Sequence, residues 1–147
     1  MTLDVPFPRF GAAMGQPRRR SRVRERDLDV EIDFVEALLR RDPAFNEALE
    51  VLGDLYSERG RHADAIRVDE NLSQAKPADP NVRYNLACSL AMNQEFERAA
   101  SELAAAIELG YSDVGQLSQD PDLADLRAHP AYRKVRAKLR ALKAPPV

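Results

Sequence analysis

Residues 46–77 read NEALEVLGDLYSERGRHADAIRVDENLSQAKP, and two short helices joined by a turn account for every notable residue in them. Leu49, Leu52, Tyr56, Ile66 and Leu72 supply the apolar filling of a seam, while Gly53 and Ala65 are small where paired helices must approach closely. Gly60 provides the turn. The pattern returns 34 residues later, with Leu86 over Leu52, Ala87 over Gly53, Leu90 over Tyr56, Phe96 over His62 and Ala99 over Ala65. Small positions stay small. One pair breaks the match, because Asp69 occupies the place that Leu103 holds in the second unit, where a large apolar residue is expected. Shifting backwards puts Pro43 over Pro77 and Leu38 over Leu72, which leaves half a unit ahead of the first full one.

This spacing resembles the tetratricopeptide repeat, a 34-residue helix-turn-helix unit written W-x2-L-G-x2-Y, A-x3-F, P. Leu49 stands for the Trp, and Leu52, Gly53, Tyr56, Ala65 and Pro77 match. In the second unit Arg83 takes the Trp position and Tyr111 replaces the closing Pro, so packing is expected to pass to Val82, Tyr84 and Leu86. Val68 and Leu72 are expected to take over the contact that Asp69 cannot make. The resemblance implies an all-α fold, a short solenoid of antiparallel helix pairs with repeats at 46–79 and 80–113.

Outside the repeats, Leu28, Ile32, Val35 and Leu39 recur at one face of a 3.6-residue period, so residues 28–41 read as an N-terminal capping helix. Residues 1–26 hold Pro6, Pro8, Gly11, Gly15, Pro17 and the run Arg18-Arg19-Arg20-Ser21-Arg22-Val23-Arg24, and a disordered basic tail is expected there. The helical domain then covers 27–143. Asp42-Pro43, Asp79-Pro80 and Asp120-Pro121 each place a capping carboxylate before a residue suited to the first helical position. Helices are expected at about 44–58, 62–75, 80–92 and 96–109, with no strand, since no segment alternates with period 2. Residues 114–143 resemble the closing segment that follows the last repeat in small bacterial tetratricopeptide proteins, with Asp120-Pro121-Asp122-Leu123 and Leu126-Arg127 as its recognisable core. Its last helix, from Pro130 to about Leu142, carries the apolar stripe Tyr132, Val135, Leu139, Leu142, with Arg133, Lys134, Arg136, Lys138 and Arg140 turned away.

The 147 residues have a formal charge of −2, which conceals a strong polarity along the chain. Seven Arg stand against Asp4 and Glu25 before residue 27, and seven Lys and Arg follow the last acid, Asp125. Setting these aside from the totals of 22 bases and 24 acids leaves 8 bases and 22 acids in residues 27–126, a net of −14. No apolar run approaches the roughly 18 residues that span a membrane. The arginines at the start precede no apolar segment, so neither a secretory nor a twin-arginine signal is read. A single cysteine, Cys88, cannot close an internal disulfide, and a reducing, cytoplasmic setting is expected.

No phosphate-cradling glycine loop, nucleophile elbow or zinc spacing is present, and no cofactor is expected. His62 is read as a packing residue, His129 as a helix-start residue before Pro130, and Cys88 as small packing rather than an activated thiol. An enzyme is not expected. The resemblance instead implies a concave groove lined by first helices: Glu47, Glu50, Asp54 and Glu58 from one repeat, and Asn81, Tyr84, Asn85, Cys88 and Met92 from the next. That groove would take a protein or peptide segment with basic character or an apolar anchor. The carboxylate clamp of chaperone-binding members needs Lys, Asn and Arg at set places, and only Asn85 matches. Two alternatives stand beside a non-catalytic adaptor or scaffold: weak, salt-sensitive nucleic-acid association through the basic ends, and a homo-oligomer formed through the flanks, because two full repeats are fewer than the usual three or more.

Overall fold

The computed structural model describes residues 18–143, with side chains from residue 22. Among these residues the regular structure is helical throughout and includes no strand. We number the helices α1 (Arg18–Arg41), α2 (Asn46–Arg59), α3 (His62–Ala75), α4 (Pro80–Met92), α5 (Phe96–Glu108), α6 (Val114–Gln119), α7 (Ala124–Arg127) and α8 (Arg133–Lys143), with single 3-10 turns at Pro121–Leu123 and Pro130–Tyr132. Each of the first four packs on the next, and α8 returns across α5.

Helix α1 is the main departure from expectation. It begins at Arg18, ten residues ahead of Leu28, so the arginine run from Arg18 to Arg26 belongs to a 24-residue helix instead of a disordered tail. Two physical reasons account for this. Arginine is a good helix former, and the Arg24 guanidinium reaches Glu58 at the end of α2, 2.6 Å away, and Glu31 one helical stretch further on. Arg59 of α2 returns the contact to Asp29 at 2.9 Å. The expected tail over residues 1–17 lies outside the described residues.

The turn chemistry differs between the two hairpins. Gly60 closes α2 in the left-handed region, φ +86°, where glycine carries no Cβ penalty. At the equivalent place 34 residues on, Gln94 adopts φ +62° and does the same job with a side chain attached. Among the aspartates expected to cap helices, Asp79 does so for α4, accepting from the Asn81 and Val82 amides at 2.9 and 3.4 Å. Asp120 caps a 3-10 turn through the Asp122 amide. Asp42 accepts only from Ala44, and α2 starts later, after Phe45, with no side-chain cap. His129 receives the Ala131 amide on Nδ1 at the start of its turn and stacks on Phe96 at 4.6 Å.

Buried side chains form two cores. The first joins Leu28, Ile32 and Val35 of α1 to Leu49, Leu52, Tyr56, Ala65, Val68 and Leu72, with Val82 at its edge. The second gathers Leu86, Ala87, Leu90, Ala99 and Leu103 with Leu117, Leu123, Leu126, Tyr132 and Val135 from the C-terminal segment. Val82, Tyr84 and Leu86 are all buried, as expected from the displaced Trp position. Arg83 lies partly covered and pairs with Glu102 at 2.9 Å. In the closing segment Arg127 donates to the carbonyls of Leu117 and Asp120, which ties the loop to the last turns. The apolar stripe of α8 ends one turn early: Leu139 packs on the core, but Leu142 is exposed, because α5 stops at Glu108 and nothing lies beneath it.

Candidate functional site

A cleft of about 370 Å³ opens between α2, α4 and the C-terminal segment. Asp54, Ser57 and Glu58 come from α2, His62 and Asp69 from α3, Tyr84, Asn85, Cys88, Ser89 and Met92 from α4, and Gln116, Asp120 and Asp122 from the closing segment. Helical periodicity explains the first set, since residues 54 and 58 are one turn apart on one side of α2. Of the nine groove positions expected from the sequence, the structure brings Asp54, Glu58, Tyr84, Asn85, Cys88 and Met92 together here. Glu47, Glu50 and Asn81 stand at the other ends of the same helices, and Glu50 faces Lys76 at 3.6 Å.

Among the described residues five carboxylates and one imidazole line the cleft with no Lys or Arg, although Arg24 reaches one of the carboxylates, Glu58, from α1. Enclosure and the neighbouring Glu50 carboxylate push the Asp54 carboxyl above its ordinary range. Asp122 is likewise raised, by burial first and by Asp120 second, while His62 acts in the opposite direction. The His62 Nδ1 is itself buried and has no hydrogen-bond partner among the described residues. A cationic group entering the cleft would therefore meet carboxylates that gain from a positive partner.

The floor is built differently from the rim. Tyr84, expected to line the groove, is buried; its hydroxyl donates to Asp120 Oδ2 at 2.5 Å and its ring stacks on Tyr111, centroids 4.3 Å apart and nearly parallel. Its role is to brace α4 against the closing segment. Asp120 Oδ2 also accepts from Gln116 Nε2 at 3.2 Å and meets the Cys88 thiol at 3.8 Å, while Oδ1 takes the Asp122 amide at 3.0 Å. Burial, with the Asp120 and Asp122 carboxylates beside it, pushes the Cys88 thiol well above its ordinary value, so it stays protonated and unreactive.

Deeper between the repeats lies Asp69, 5% exposed. Its Oδ2 accepts from the Ser89 hydroxyl at 2.6 Å, and burial raises its carboxyl to about 6 despite that bond. A Cβ at Gly53 would stand 2.8 Å from Asp69 Oδ1, so a side chain there would have to displace this carboxylate. Among the described residues, Cys88, Asp120 and Asp122 bring potential metal-ligand atoms within 4.8 Å of one another. The donors already converging on Asp120 and the protonated thiol fit a hydrogen-bonded joint better than a cation site. His62, Asp69, Ser89, Gln116, Asp120 and Asp122 escaped the sequence reading as cleft residues. Two of them carried a signal of another kind: the Asp120-Pro121 pair pointed to capping, and Asp69 to a break in the repeat pattern.

Antiparallel helix pairs stacked edge to edge, with a helix covering one flank and a folded segment the other, define a short tetratricopeptide-like solenoid. No protein-family model matches the chain. The fold is similar to that of MamA, residues 41 to the end, from Desulfovibrio magneticus RS-1, with a TM-score of 0.57 over 80% of this chain and 70% of that one at 17% identity, a likeness of fold alone. In sequence the chain is 27% identical over 110 residues to a chloroplastic protein of Arabidopsis thaliana, an alignment that takes in 73% of this chain. It spans about a third of that relative's length, 31%. Among the described residues no helix is long and apolar enough to cross a membrane.

Proposed function

We propose that the protein is a non-catalytic interaction module that holds a basic segment of another protein through the cleft between α2, α4 and the closing segment. The observation that supports this is the acidic lining: Asp54 and Asp122 face a cavity of about 370 Å³, roughly the size of a small-ligand site, with no ion pair among the described residues, whereas Glu58 beside them is held by Arg24. Asn85 and Ser57 at the rim supply neutral groups for the backbone of the bound segment. The protonated Cys88 and the engaged Asp120 favour binding over chemistry.

The test is titration of the purified chain with a short peptide rich in arginine and lysine, beside the same peptide with the basic residues replaced by glutamine. Binding of the first and not the second is expected, weakening with salt over the range in which exposed charges are screened. Asp54→Asn together with Asp122→Asn should weaken it by about tenfold or more, which corresponds to roughly 1.4 kcal/mol. Glu97→Lys, on the exposed side of α5 and away from the cleft, is the control. An equal loss in the control would assign the attraction to the acidic domain as a whole and remove the cleft as its seat.

A further inference from the structure

Helix α1 is apolar on two opposite faces. At 100° per residue, Leu28, Ile32, Val35 and Leu39 point one way, into the first core, and Val23, Val30, Phe34 and Ala37 point the other. Val23, Val30 and Phe34 are 45%, 68% and 64% exposed, although all three are of the apolar types that fill the core. Phe45, on the connection to α2, is exposed as well. Such a row along one helix is not the scattered apolar surface common to folded proteins. It is the open end of the stack, where the repeat order leaves α1 without the helix that would precede it.

Charge decides what fits there. The exposed face is flanked by Arg22 and Arg26 in its first half and by Asp33 and Arg40 in its second, on the same side of the Val23–Val30–Phe34 row, and by Asp27 on the other side. The ion pairs that α1 makes within its own chain use Arg24 and Asp29, whose side chains lean toward α2. We infer that α1 pairs with α1 of a second copy, antiparallel, about a two-fold axis passing near Val30. Such an axis keeps each flank on its own side, so Arg26 of one copy comes beside Asp33 of the other, and the pair forms twice. Val23 then meets Ala37 of the partner copy, and Phe34 covers the stem of Arg26. Self-pairing also gives two short stacks the continuous length that two repeats lack alone.

The experiment is sedimentation of the full chain from micromolar to sub-millimolar concentration, with thermal midpoints recorded in parallel. A shift from once to twice the chain mass is expected. Val30→Asp with Phe34→Asp should leave the monomer with its helical content intact, since both positions are exposed and neither belongs to the first core. Arg26→Asp and Asp33→Arg should each raise the dissociation constant by about tenfold, and the chain carrying both should recover, because the exchange restores opposite charges across the two-fold. A monomer at every concentration overturns the inference, as does a dimer that survives Val30→Asp with Phe34→Asp. Failure of the double exchange to recover overturns the antiparallel pairing. If removal of residues 1–17 converts a monomer into a dimer, the face belongs to that segment and not to a second copy. Cleft variants such as Asp54→Asn leave the mass unchanged, so the two proposals fail separately.

Discussion

Asp69 and Leu103 occupy the same place in successive repeats, the inward face of the second helix opposite the small residue of the first. Leu103 is fully buried in an apolar core, and Ala87 opposite it is too. Asp69 is nearly as buried, but it displaces the hydrocarbon filling with a carboxylate, and the surroundings have adjusted to hold it. Gly53 replaces the alanine, because a Cβ would press on Oδ1, and Ser89 of the next repeat supplies a hydroxyl to Oδ2. The first repeat therefore docks on the second through a buried carboxylate as well as through Ile66 and Val82, while the second docks on the closing segment through leucines, with its buried carboxylate, Asp120, supplied from the closing segment. One backbone register accepts either solution, provided the neighbours match.

The contrast can be broken most severely by moving the charge to the wrong repeat. Leu103→Asp places a carboxylate in an apolar core, and a loss of roughly 3 to 5 kcal/mol in urea unfolding is expected, a large fraction of the stability of a domain of this size. A loss under about 1 kcal/mol would mean that the second core has polar partners the structure does not show.

Asp69 itself predicts a pH dependence of known sign. Its carboxyl is raised in the folded state, to about 6 from an ordinary value near 4. The contribution to stability is thus full below the unfolded value and is lost as pH rises through about 6, a span of roughly 2 to 3 kcal/mol. Asp69→Asn keeps a partner for Ser89 and removes the titration. The difference in unfolding free energy between the two chains should then move in favour of the variant between about pH 4 and 7. A constant difference would show that Asp69 titrates as an exposed acid.

Smaller effects sharpen the comparison of packing. Ala65 and Ala99 are both fully buried at equivalent sites, and leucine at either should cost roughly 1 to 3 kcal/mol through overpacking. The larger cost is expected at Ala99, where the core is closed by the C-terminal segment. Neutral behaviour at both would show that the helix pairs are loosely seated. The smallest change concerns the two turns. Gln94 holds a left-handed conformation that Gly60 holds without a side chain, so Gln94→Gly should stabilise by about 0.5 kcal/mol, and Gly60→Ala should destabilise by roughly 1 kcal/mol. Thermal midpoints of the two variants moving in the same direction would contradict the equivalence of the turns.

What was legible in the residues is what short-range physics encodes. Apolar spacing, small residues at 34-residue intervals, Gly60 and the Asp79-Pro80 pair are local or periodic signals, and they placed helices α2 to α5 within two residues of their observed ends. Where α1 begins was not legible, because composition spoke for disorder from residue 1 to 26, and the partners that favour helix, Glu58 for Arg24 and Arg59 for Asp29, lie some thirty residues away. The anomaly at Asp69 was visible as a break in the pattern, yet its resolution by Ser89, twenty residues on, required the repeats to be docked. Tyr84 shows the same limit more sharply. Its position suggested a groove lining and a packing role, but that its hydroxyl and ring are taken up by Asp120 and Tyr111, 36 and 27 residues away, was not written in the spacing. Sequence alone determined that α2 to α5 are helical and how they pair, since those choices depend on residues three, four or 34 apart. Which polar groups are consumed inside the fold, and which remain to face a partner, was decided only when distant elements closed on one another, because a hydrogen bond depends on ångström distances that no spacing along the chain specifies.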